Sequence, residues 1–95
     1  MNDSNGPATR VERIRAALTA ALSPRQLEVI DDSQAHAGHA GALTGKGHFR
    51  VFVIADGFTG LAPIKRHRLV YAALADLMDS DIHALSIDAR TPAEA

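Results

Sequence analysis

The sequence predicts a single small α+β domain, a three-stranded mixed sheet with its helices packed on one face. Three observations carry that expectation. An amphipathic helical stripe comes early, three short β-rich segments follow, and a second helical stretch separates the last two of them. In a chain of 95 residues, burying both helical stripes against one side of the sheet is the economical two-layer solution.

Residues 1–8 are polar and broken by Gly6 and Pro7, and are expected to be disordered, leaving 9–95 as the domain. Thr9-Arg10-Val11-Glu12 fits a capping box, with Glu12 three positions after Thr9. Val11, Ile14, Leu18 and Leu22 follow at spacings of three, four and four, which predicts a helix over 10–22. Ser23-Pro24 ends it. Leu27-Glu28-Val29-Ile30 reads as a short strand. Residues 31–47 hold four glycines, two histidines and one large aliphatic, Leu43, and are expected to form a long mobile loop.

His48 to Ala55 is the strongest strand pattern. Phe49, Val51 and Val53 share one face; Arg50, Phe52 and Ile54 share the other, which is therefore expected to be partly covered too. A helix is predicted over 64–79, with Ile64, His67, Arg68, Tyr71, Leu74, Ala75 and Met78 along its packed side and Val70 and Leu77 broadening it. Ile82 to Asp88 is the last strand, with His83, Leu85 and Ile87 on one face. The first two strands are expected to pair antiparallel and the last, reached through a helix, to pair parallel.

Charge and composition narrow the function. Ten Lys and Arg oppose eleven Asp and Glu, a net charge of -1 with neutral histidines. A dedicated nucleic-acid binder draws most of its affinity from a basic excess, so any such binding must rest on a local patch. Lys65, Arg66 and Arg68 supply one, with Lys46 and Arg50 as extensions. There is no cysteine, which excludes disulfides, thiolate metal sites and cysteine nucleophiles. No apolar run approaches the ~20 residues that span a bilayer. Met1 to Pro7 lacks the basic and apolar regions of a signal peptide, so a cytoplasmic location and no membrane contact are expected. No nucleophile stands at a telling spacing from a base, and Asp31 and Asp32 read as turn residues. An enzyme is not expected.

Several segments carry a more specific signal. They are Leu27 to Ser33, His48-Phe49-Arg50-Val51, Phe58-Thr59-Gly60, Arg66-His67-Arg68-Leu69-Val70-Tyr71, His83-Ala84-Leu85 and Thr91-Pro92-Ala93-Glu94. In this order and spacing they resemble the BolA family from about residue 10 onward. The resemblance implies a class II KH-like α+β fold of order α-β-β-α-α-β, with an extra short helical turn near 60–64. It implies a heterodimer with a monothiol glutaredoxin and a bridging [2Fe–2S] cluster shared with that partner and glutathione, in cluster trafficking or iron and redox regulation. No cofactor is expected for the isolated chain, and a homodimer of the free protein stays open.

Taken alone, His83 reads as a strand-edge histidine; the resemblance makes it the foremost cluster ligand. His36 matches the family's loop ligand when counted from Asp32-Ser33, and His39 is an equally reachable alternative. His48 is expected to be structural. Imidazole can ligate iron of such a cluster, and a chain without cysteine needs its partner to bring thiolate. The runner-up is a DNA-binding transcriptional regulator that uses the basic helix around Lys65, Arg66 and Arg68. Gly57-Phe58-Thr59-Gly60 spells the G-x-x-G of KH loops, but without the usual basic residue inside.

Overall fold

The computed structural model describes residues 9–33 and 47–95. The segment expected to be disordered, 1–8, lies outside them, as do His36, His39 and Lys46 of the expected loop.

Helix α1 spans Arg10–Leu22. Thr9 Oγ1 accepts from the Glu12 N–H at 3.1 Å and Glu12 Oε1 accepts from the Thr9 N–H at 2.9 Å, so the capping box is formed in both directions. Ile14 and Leu18 are fully buried, as the stripe predicts. Thr9→Ala removes the hydroxyl that receives the Glu12 N–H and is expected to cost about 1 kcal/mol. A urea-unfolding midpoint indistinguishable from wild type would show that the cap contributes nothing.

Strands β1 (Gln26–Asp31), β2 (Gly47–Ile54) and β3 (Ile82–Arg90) form one sheet in the order β1-β2-β3. β1 pairs antiparallel with β2, with Val29 opposite Val51, and β3 pairs parallel with β2, with Ile87 opposite Val51. Both pairings match the expected topology. Phe49, Val51 and Val53 point into the core with Ile14 and Leu18 of α1. Among the described residues, no helix lies on the other face. There Phe52 is half-buried beneath the Arg90 guanidinium, 5.5 Å from its ring centre, so a side chain rather than a second layer gives the partial cover.

The connection from β2 to the second helix differs from the expected turn near 60–64. A 3₁₀ turn forms earlier, at Asp56–Phe58, and fully buries Phe58. Gly60 follows at φ 83°, a left-handed conformation that glycine adopts without strain. Pro63 then opens the helix, where its missing N–H costs nothing.

The predicted helix over 64–79 is two helices, α2 (Pro63–Ala73) and α3 (Ala75–Ser80), separated at Leu74. Leu74 sits at φ -104°, ψ 11°, and its carbonyl accepts from both Leu77 and Met78 N–H groups, a local tightening with no proline or glycine to announce it. The packed side agrees at Leu74 and at Val70, which are fully buried, and differs at Ile64, 60% exposed, and Tyr71, 42%. Successive helix positions are separated by about 100°, so centring the contact on Val70 instead of Tyr71 rotates the predicted stripe toward solvent.

The sheet's two open edges are covered by arginines from the helix layer. Arg15 Nη1 donates to Leu27 O on β1 at 3.1 Å, and Arg66 Nη1 donates to Ala89 O on β3 at 3.2 Å. Unpaired edge carbonyls invite pairing with another chain, and these contacts blunt both edges.

Candidate functional site at the start of the last strand

The site begins with an irregularity in the sheet. Gly47 pairs with Ile82, but the next residue, His48, pairs with Ala84. His83 is thus an extra residue on β3, a β-bulge. Ile82 before it is buried and Leu85 after it faces the core layer, so the expected alternation of His83 with Leu85 and Ile87 fails at this point. The bulge presents His83 as an exposed side chain. Its ring lies 5.0 Å from that of His48, centre to centre, at a tilt of 56°.

The surroundings hold this arrangement in place. Ser33 Oγ accepts from the His48 N–H at 3.1 Å, and the Asp32 N–H donates to His48 O at 2.7 Å. The Gly47 N–H donates to Asp81 O at 2.9 Å. The two ends of the 34–46 segment, Ser33 and Gly47, therefore meet beside the histidine pair. His36 and His39 belong to the segment between those ends, outside the described residues.

Asp81 is the second anchor, two residues before His83. Its Oδ1 accepts from Arg10 Nε at 3.1 Å and Arg13 Nη2 at 2.8 Å, tying α1 to the start of β3. Burial alone would raise this carboxyl's pKa. The hydrogen bond from Arg13, then those from Arg10 and Ser80, outweigh burial and hold it below the usual value. Its partners lie about 70 positions away and leave no local signal in the sequence.

The candidate basic patch does not form as one surface. Arg66 turns inward and its side chain is only 12% exposed. Its Nε donates to Leu61 O at 2.8 Å, and its two terminal nitrogens reach Glu94 at 2.6 and 3.2 Å, in addition to Ala89 O. Glu94 in turn accepts from the Thr91 N–H and closes a capping box on the terminal 3₁₀ turn Pro92–Glu94. Arg66 is thus a structural clamp and leaves the proposed nucleic-acid surface. Lys65 and Arg68 are exposed and make no ion pair among the described residues. Arg50 pairs with Asp32 at 3.3 Å. The Gly57–Gly60 segment places Phe58 in the core, so it presents no backbone clamp of the KH kind.

Chemically, the described residues offer one exposed imidazole, His83, with a second, His48, beside it. No group of three or more His, Cys, Asp or Glu side chains suited to a metal ion occurs among the described residues. Among the described residues, no helix is long and apolar enough to cross a membrane.

Fold and site together define a small α+β domain with a mixed three-stranded sheet, one helix-covered face and an exposed histidine on a bulge at the sheet's end. Comparison with known proteins agrees. The family profile described as BolA-like protein matches residues 18–94. Human BolA-like protein 1 is 51% identical over 81 residues, covering 85% of this chain and 57% of the human protein. The Escherichia coli protein named DNA-binding transcriptional regulator BolA is 40% identical over 80 residues, covering 84% of this chain and 73% of its own length. Among solved structures, the BolA domain of SufE1 from Arabidopsis thaliana superposes with a TM-score of 0.81 at 46% identity, covering 95% of this chain and all of that one. The chain belongs to the BolA family. It spans less than two thirds of the length of the human relative.

Proposed function

We propose that this protein partners a monothiol glutaredoxin and contributes histidine nitrogen to a [2Fe–2S] cluster bridging the two, in cluster trafficking or iron and redox regulation. The observation that carries this reading is the exposed His83 on its bulge, set beside both ends of the segment that contains His36 and His39. With no cysteine of its own, the chain needs a partner to supply thiolate, together with glutathione. The cluster, when bound, supplies the iron chemistry of the complex. This chain's part is to hold an imidazole at a fixed place, with His48, Ser33 and Asp81 bracing it. Its role is that of a carrier or regulator and not of a catalyst, and we place it in the cytoplasm; an Arabidopsis relative bears a chloroplastic and mitochondrial name, so the address differs within the family.

The test is co-expression with a monothiol glutaredoxin, followed by absorbance and visible circular dichroism of the purified complex. His83→Ala is expected to lose or reshape the cluster bands while keeping the far-ultraviolet spectrum, since the side chain is exposed. His36→Ala and His39→Ala decide which loop histidine joins it. A wild-type cluster spectrum in all three variants would refute the ligand assignment.

A DNA-binding role is the second reading, favoured by the name of the Escherichia coli relative. With Arg66 committed to the fold, Lys65 and Arg68 are the exposed cations left on α2. Each phosphate contact contributes roughly -0.9 to the slope of log K against log salt, so two contacts predict a slope near -2. A slope near zero in a DNA titration removes this reading.

A further inference from the structure

β3 is an edge strand, and Arg66 closes its outer edge at one point only. The Ala55 N–H donates to Arg90 O, which turns the backbone groups of Arg90, and of Asp88, Ser86 and Ala84 before it, toward β2. Leu85, Ile87 and Ala89 alternate with these and turn theirs outward. The Arg66 bond to Ala89 O marks that side. The N–H and C=O groups of Leu85 and Ile87 have no hydrogen-bond partner there among the described residues. The open stretch ends at the His83 bulge on one side and at Ala89 on the other, and Ser86 lies midway between them.

Little along this edge repels a second strand. Edges are commonly protected by lysine, proline or an inward-pointing charge. Residues 84–88 read Ala-Leu-Ser-Ile-Asp, and their one charge, Asp88, is paired with Arg90 at 2.9 Å. Leu85 and Ile87 are half-buried on the helix side, and Ala84, Ser86 and Asp88 are exposed on the other. The bordering helix is α2, tied to β3 through Arg66. It carries three of the four large apolar side chains that are exposed among the described residues, Ile64, Leu69 and Tyr71.

We infer that two copies of this chain pair through β3, antiparallel about a two-fold axis at Ser86, so that their sheets join into one. In that register Leu85 of each copy stands opposite Ile87 of the other, and every open N–H meets an open C=O. A register centred on Ile87 sets Leu85 against Ala89, whose carbonyl Arg66 holds; one centred on Leu85 sets Ile87 against the bulge. The side chains favour the same axis. Leu85 lies beside Ile87 on the helix side, Ala84 faces Asp88, and Ser86 faces its own copy where Cα atoms approach to about 4.5 Å and a small side chain fits. No like charges stand opposite each other. The β1 edge lacks this property. Self-pairing that used Val29 and Asp31 would set Glu28 against Asp32 of the other copy. The inference does not depend on the function proposed above.

The experiment is sedimentation velocity of the full chain over a range of concentrations, with Ser86→Lys, Ser86→Glu and their equimolar mixture. Ser86 is exposed, so both variants are expected to keep the far-ultraviolet spectrum of wild type. Wild type passes from monomer to dimer as concentration rises. Each variant alone sets like charges opposite each other on the axis and associates about fivefold or more weakly at low salt. The mixture sets lysine against glutamate and recovers wild-type association, a recovery that salt erodes. Amide exchange by NMR reads the same edge without a substitution. The Leu85 and Ile87 amides slow as the protein is concentrated, whereas those of Ser86 and Asp88, bonded to β2, are slow throughout. A wild-type chain that stays monomeric at millimolar concentration overturns the inference. So does a dimer whose affinity neither variant changes, or one that leaves the Leu85 and Ile87 amides unprotected. Weakened variants that do not recover on mixing overturn the axis at Ser86.

Discussion

Replacing Arg66 with methionine is expected to destabilise the domain by about 2–3 kcal/mol. Methionine keeps the apolar stem in place and removes the guanidinium. The carbonyls of Leu61 and Ala89 then lose a charged donor in a part-buried setting, and each such loss costs on the order of 1 kcal/mol or more. The Glu94 pair adds less, because that carboxylate is about half exposed and solvent screens it. In a domain of this size the change lowers Tm by roughly 4–8 °C per kcal/mol. Arg66→Lys is expected to recover little of it. One ammonium cannot replace a planar fork that reaches two carbonyls and a carboxylate from a single rigid group. A shift in the urea midpoint equivalent to less than about 0.5 kcal/mol would contradict the clamp.

The same clamp has a pH signature. The Arg66 guanidinium, with the Thr91 N–H, holds the Glu94 carboxyl down at about 2 against an ordinary 4.5. A depressed folded-state pKa stabilises the fold fully above the unfolded value, and the stabilisation fades as pH falls from 4.5 toward 2. Asp81, also depressed, acts in the same direction. Wild-type stability is therefore expected to fall steeply over that acid range, and Arg66→Met to flatten the fall. Equal slopes in the two proteins would show that Glu94 gains nothing from Arg66.

Gly47→Ala is the second large effect expected. A Cβ at this position would lie 2.7 Å from Cε2 and Cζ of Phe49 and 2.8 Å from Ser33 Oγ. The Phe49 ring is nearly fully buried and cannot yield freely. Relief requires moving a core ring or the hydroxyl that receives the His48 N–H. Overpacking of this kind costs typically 1–3 kcal/mol. The consequence reaches the site, because the strand irregularity that exposes His83 begins at Gly47. Gly57→Ala makes a fair comparison. A Cβ there meets nothing within 4 Å, and the change is expected to stay within about 0.5 kcal/mol. Equal unfolding midpoints for the two variants would contradict the close approach at Gly47.

Much of this is legible along the chain. The α1 stripe, its capping box and the alternation of Phe49, Val51 and Val53 are local patterns, and each appears as read. The antiparallel and parallel pairings follow from how the segments are connected. His83 stood out through its family setting; the structure places it exposed on the bulge of β3. His48 was assigned a structural place, and its ring contact with His83 gives that place a function. Arg66 was misread because a basic triplet on a helix looks the same whether it faces water or a carboxylate. Glu94, 28 positions on, decides the matter.

The sequence by itself determined the element types, their order and the family, because apolar periodicity and turn chemistry act between near neighbours. Only the tertiary structure decided how α2 is rotated, where β3 bulges and which cations remain free. Periodicity sets which residues of an element share a side; it does not set which side meets the core. That choice is made by packing against partners far along the chain. Val70 and Leu74 won it over Ile64 and Tyr71, and the register of β3 on β2 turned His83 out of the alternation and into the open.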